Sequence, residues 1–171
     1  MTRVLGVDLG SKRVGLAVAD AGIGIARPLV TVNRGGSMDE DVATLERICH
    51  EHDVAEIVVG LPVEASGTEG EMADGARAWA TVLGERLAIP VTLRDERLSS
   101  FEAERRLGRM PRGRSGGPPS RTQRNAFKAR VDREAASVIL QDELDARHAA
   151  GAVRVVSPVP GVHAPDRQED R

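Results

Sequence analysis

Three acidic residues stand at points where the chain gives a carboxylate little reason to sit. Asp8 closes the apolar run 3–7 and is followed by Gly10, so its side chain is expected at the mouth of a sheet with little bulk around it. Turn chemistry explains a strand-ending Asp about equally well. Glu96, with Asp95 before it, follows the run 91–95 and taken singly reads as a solvated charge. Asp132 falls where a helix over 131–147 is expected to open, and an N-cap is its plainest explanation. Its spacing says more, because Ala135, Ala136 and Ile139 share its helical face and turn the carboxylate toward the sheet. No basic residue lies on that stripe, and a carboxylate facing a core needs a partner. A divalent cation shared with Asp8 and Glu96 would supply one. Three such ligands suit phosphodiester hydrolysis with Mg²⁺ or Mn²⁺, in which paired ions about 3.5–4 Å apart activate water and stabilise the leaving oxygen.

Rival chemistries find less support. The histidines His50, His52, His148 and His163 lack zinc-type spacing. Cys49 has no base beside it in sequence and falls in a helical pattern with Val42, Leu45 and Ile48, where a thiol packs as a small hydrophobe. One cysteine excludes an internal disulfide. With no signal segment and no long apolar run, the expected setting is the cytoplasm, with no membrane partner.

The elements that must carry these acids follow from periodicity. Residues 3–8 and 14–19 are apolar runs joined by a connection too short for a crossover, so they should pair antiparallel. Residues 25–32 extend the meander, with Pro28 suited to an edge. A helix is expected over 38–51, with Ser37 and Glu40 as a capping box. A strand at 55–60, a helix at 69–88, a strand at 91–95 and a short helix at 99–107 follow. Next come a Gly/Pro/Arg-rich loop over 108–120 and the helix over 131–147. Right-handed crossovers would make the fourth and fifth strands parallel to the first, so that Asp8, residues 60–62 and Glu96 share one edge. The expectation is an α/β domain over 1–157, with a mixed five-stranded sheet flanked by helices. Residues 153–156 suggest a last short strand, and 158–171 a disordered tail.

Charge is unevenly placed. The formal net charge is −2, yet nine basic residues and no acid lie between Arg105 and Arg130. That segment, with Arg109, Arg112, Arg114, Lys128 and Arg130, is a candidate contact for a polyanion. Only 2% of residues are aromatic, so binding of a nucleic acid would rest on charge and shape rather than on stacked bases.

The segment GVDLGSKRVGLAVAD at 6–20 resembles the opening motif of the YqgF/RuvX family, nucleases of pre-16S ribosomal RNA related to Holliday junction resolvases. IVVGLP at 57–62, GTEGE at 67–71, DERLSSFEAE at 95–104 and VDREAASVILQDEL at 131–144 continue the match in order. The resemblance implies a ribonuclease-H-like fold and an endonuclease using Mg²⁺ or Mn²⁺, with Asp8, Glu96 and Asp132 as catalytic and metal-holding residues. It also implies that Lys12, Arg13 and Arg97 lie near the scissile phosphate. The expected substrate is the 5′ end of pre-16S rRNA, and the expected state is a monomer or homodimer. A resolvase acting on branched DNA and a catalytically silent RNA-binding module remain as alternatives. A nucleotide-binding ATPase or sugar kinase, whose first phosphate loop also reads D-L-G-S, needs a second domain for which this chain has no room. Two departures from the family pattern stand out: VEAS at 63–66, and the length of the segment 110–125.

Overall fold

The computed structural model describes residues 2–63, 70–96, 98–113 and 116–150. Five strands, β1 (Arg3–Leu9), β2 (Arg13–Asp20), β3 (Ala26–Asn33), β4 (Val54–Leu61) and β5 (Val91–Asp95), form one sheet in the order β3-β2-β1-β4-β5. The pairs β1–β2 and β2–β3 are antiparallel, while β1–β4 and β4–β5 are parallel. This is the expected meander followed by parallel strands. Pro28 lies in β3, at the sheet edge, where its missing N–H costs no ladder bond on the open side.

β1 is buried on both faces, and strand alternation divides its side chains between two cores. Leu5 and Val7 join Leu16, Ile57 and Val59 beneath α1 (Met38–Glu51) and α2 (Glu71–Leu87), against Leu45, Ile48, Trp79 and Leu83. Val4, with Ala17 and Val58, packs on the other face against Ala136, Ile139, Leu140 and Leu144 of α4 (Arg121–Ala149). The short helix α3 (Ser99–Leu107) lies beside α4, joined to it through Ala103, Val131 and Ala135 with Leu107 and Phe127.

One element departs from the sequence reading. α4 begins at Arg121, ten residues before the expected start, and runs for 29 residues. Ser120 and Gln123 form a reciprocal capping box, which satisfies two of the amide donors left free at a helix start. Asp132 is therefore no N-cap but the twelfth residue of α4, in its fourth turn. Arg121, Arg124, Lys128 and Arg130, read as the end of a loop and its approach to the helix, are helical. Arg97, Arg114, residues 153–156 and the tail 158–171 lie outside the described residues.

Candidate active site

Parallel pairing places the C-terminal ends of β1, β4 and β5 along one edge, and Asp8 and Glu96 meet there. Leu61 pairs with Asp95, and the amide of Glu96 donates to the Leu61 carbonyl, so Glu96 extends the ladder by one step and is fixed by its backbone. Its carboxyl group then folds back over β4 at Gly60. A Cβ added at Gly60 would stand 2.1 Å from Glu96 Oε2 and 2.7 Å from Ile139 Cδ1. Only glycine leaves that space.

Burial dominates the electrostatics. It pushes the Asp8 carboxyl up to about 7, with the Asp132 charge adding to the effect and hydrogen bonding to Glu96 opposing it. Burial likewise pushes Glu96 up to about 8, helped by the Asp8 charge, the hydrogen bond to Asp8 and the charge of Asp95. Two acids held against each other out of water cannot both ionise cheaply. Glu96 Oε2 is buried and has no hydrogen-bond partner among the described residues. An orphaned acceptor of this kind costs about 1–3 kcal/mol unless something satisfies it.

Asp132 enters from the opposite wall. Its backbone carbonyl lies over Gly15, where an added Cβ would approach within 2.0 Å, so α4 and β2 touch backbone to backbone. Gly15 pairs with Asp8 across the β1–β2 ladder, which brings the helix alongside the acid pair. The Asp132 carboxylate accepts from Arg13 Nε at 2.5 Å, with both side chains about a quarter exposed. A helix opening at 131 offers no basic partner on its stripe; the partner Asp132 takes comes from the start of β2. Among the described residues, no three acidic, histidine or cysteine side chains stand close enough together to hold a metal ion in this arrangement. The donors nevertheless fit a hard cation: two abutting carboxyls, one oxygen without a partner, and a third carboxylate near enough to raise Asp8.

A strut that periodicity did not expose holds the β1–β2 turn. Asp41, buried in the first turn of α1, accepts from Arg34 Nε at 2.7 Å, the Gly35 amide at 2.8 Å and Trp79 Nε1 at 3.3 Å. Arg34 also donates to the Gly10 carbonyl at 3.3 Å, and its amide donates to the Lys12 carbonyl at 2.9 Å. The turn carrying Lys12 and Arg13 is thus tied to the core. Asp41 is one of three acids in the first turn of α1, and its proximity to Trp79 is a tertiary fact.

The remaining expected residues are not one patch. Arg105 and Arg106 are paired with Glu102, and Arg106 also with Glu134. Arg109, Arg112, Lys128 and Arg130 make no ion pair among the described residues, and Arg130 lies on the side of α4 opposite Arg121. A cleft of about 260 Å³ beside Glu96 is lined by Leu98, Ser99, Glu102, Arg106, Val138 and Asp142, among others. Cys49 is buried, and burial pushes its thiol up to about 11, which removes it as a nucleophile at neutral pH.

A family model described as RuvX, Holliday junction resolvase, matches residues 2–146. This chain belongs to the RuvX family. A relative from Anaeromyxobacter dehalogenans strain 2CP-C, named "Putative pre-16S rRNA nuclease", is 49% identical over 145 residues, covering 85% of this chain and 98% of the relative. One of the same name from Frankia casuarinae is 39% identical over 163 residues, 95% of this chain and 76% of the relative. Among solved structures, Thermus thermophilus RuvC in complex with a Holliday junction substrate superposes with a TM-score of 0.50 at 15% identity, over 87% of this chain and 97% of that one. That likeness concerns the fold alone.

Proposed function

We propose that this RuvX-family protein is a metal-dependent endonuclease that hydrolyses phosphodiester bonds in the 5′ region of pre-16S ribosomal RNA. The observation that carries the reading is the buried Asp8–Glu96 pair at the C-terminal strand edge, with Glu96 Oε2 left without a partner. Asp8, Glu96 and Asp132 would hold Mg²⁺ or Mn²⁺. When bound, such ions supply a water of lowered pKa and a counter-charge for the leaving oxygen.

The chain's own residues do the rest. Gly60 lets Glu96 reach back over β4, and the Asp41–Arg34 strut fixes the turn that carries Lys12 and Arg13, of which Arg13 reaches Asp132. Arg13 holds Asp132 in the absence of a cation, and on releasing it becomes a donor for a substrate phosphate. The family resemblance assigns Arg97, which lies outside the described residues, to the same phosphate. The names of the relatives favour ribosomal precursor over junction DNA. Such a substrate places the protein in the cytoplasm, and among the described residues no helix is long and apolar enough to cross a membrane.

The test is cleavage of a precursor rRNA transcript and of a four-way DNA junction, each with Mg²⁺, with Mn²⁺ and with excess EDTA. Metal-dependent cleavage of the transcript at a discrete 5′ site is expected. Cleavage that survives EDTA would overturn the metal role, and cutting of the junction alone would transfer the substrate to DNA.

A further inference from the structure

The early start of α4 changes what its cations can do. Along this helix Ile139 packs over Gly60, Ala136 over Gly6, and Asp132 over Gly15, so these positions mark the sheet-facing stripe. Continued toward the N-terminus at helical spacing, the same stripe reads Lys128, Asn125 and Arg121, all exposed. The stripe is apolar where the sheet lies beneath it, acidic where the sheet ends, and cationic beyond. From Arg121 to Asp132 it spans about 16 Å at 1.5 Å per residue.

Two facts separate this stripe from an ordinary solvated helix face. Among the described residues Arg121 and Lys128 make no ion pair, whereas Arg105 and Arg106 on the neighbouring α3 are neutralised by Glu102 and Glu134. The stripe is also flanked on both sides. α3 packs on one flank at Phe127 and Val131, and on the other β3 reaches the helix through Thr31, whose hydroxyl donates to the Ala129 carbonyl. What remains is a file one side chain wide that ends at the carboxylates.

We infer that Arg121, Asn125 and Lys128 form a track for one strand of the polynucleotide, leading its backbone along α4 to Asp132. The inference rests on the nuclease reading and deepens it by assigning the substrate's path and its single-stranded character. Arg130, on the opposite side of the same helix, lies off the track and serves as a matched control.

The test is fluorescence anisotropy with a 5′-labelled single-stranded oligoribonucleotide, at several NaCl concentrations and in EDTA so that nothing is cut. Full-length parent, R121Q, K128Q, R121Q/K128Q and R130Q are compared, with a duplex RNA of equal length as a second arm. Each lost phosphate contact reduces the slope of log affinity against log salt by about 0.7 on a single strand. The double variant should therefore flatten by about 1.4, each single track variant by about half that, and R130Q by little, with the larger loss on the single strand. Equal flattening by R130Q and K128Q would reduce the effect to general charge attraction and overturn the track. An unchanged slope in the double variant would overturn it while leaving the nuclease reading intact. A parent that binds no RNA at any salt would remove both.

Discussion

At the scale of single residues, the acid pair sets the terms. Asp8 and Glu96 are raised because folding takes them out of water and sets them against each other, a cost that the proposed cation would relieve. Asp8→Asn keeps the shape and removes one charge. Cleavage should fall to background, while the metal-free variant should melt a few degrees higher than the parent at pH 8. In a chain of this length about 1 kcal/mol corresponds to roughly 2–4 °C. Calorimetry in EDTA beside a cleavage assay checks both halves. A variant that cuts normally would show that Asp8 holds no metal needed for the reaction.

At the scale of elements, two glycines do different work and the same substitution should separate them. Gly15→Ala sets a methyl group against the backbone of α4, which cannot yield without lifting the helix from β2. A loss of stability of about 1–3 kcal/mol or more is expected, read from the urea midpoint. Gly60→Ala meets the ends of two side chains, Glu96 and Ile139, which can move. Stability should then change much less while activity collapses, because the carboxyl of Glu96 is pushed out of register with Asp8. Wild-type turnover in Gly60→Ala would show that the close approach has no part in catalysis.

At the scale of the whole molecule, the raised carboxyls tie folding to pH. A carboxyl whose folded pKa exceeds its unfolded value binds protons more tightly in the folded state, so it stabilises the fold as pH falls through the folded value. With folded values of about 7 and about 8 against 3.8 and 4.5, metal-free protein should lose stability as pH rises from about 4 to about 8. Divalent metal should flatten the dependence, since it binds the ionised form. Urea titrations across that range, with Mg²⁺ and with EDTA, decide it; identical pH profiles in the two would separate these acids from any metal.

The sequence by itself determined the order of elements and the sheet. Alternating and continuous apolar runs mark strands buried on one or both faces, and connection lengths alone divide antiparallel neighbours from parallel ones. The capping box at Ser120 is legible as Ser-x-x-Gln, yet the Gly and Pro residues before it read as loop, and the apolar stripe marks a helix only from residue 131, ten residues after its true start. Tertiary structure alone decided which charges meet. Arg13 and Asp132 are separated by 119 positions, Asp41 and Trp79 by 38, and no local period relates either pair. It also decided that Arg105 and Arg106 are spent on neighbouring acids while Arg121 and Lys128 make no ion pair among the described residues. The physical reason is one of range. Hydrophobic period and capping act within a few residues of the chain, whereas a carboxylate's partner and its pKa depend on what the fold brings within a few ångströms.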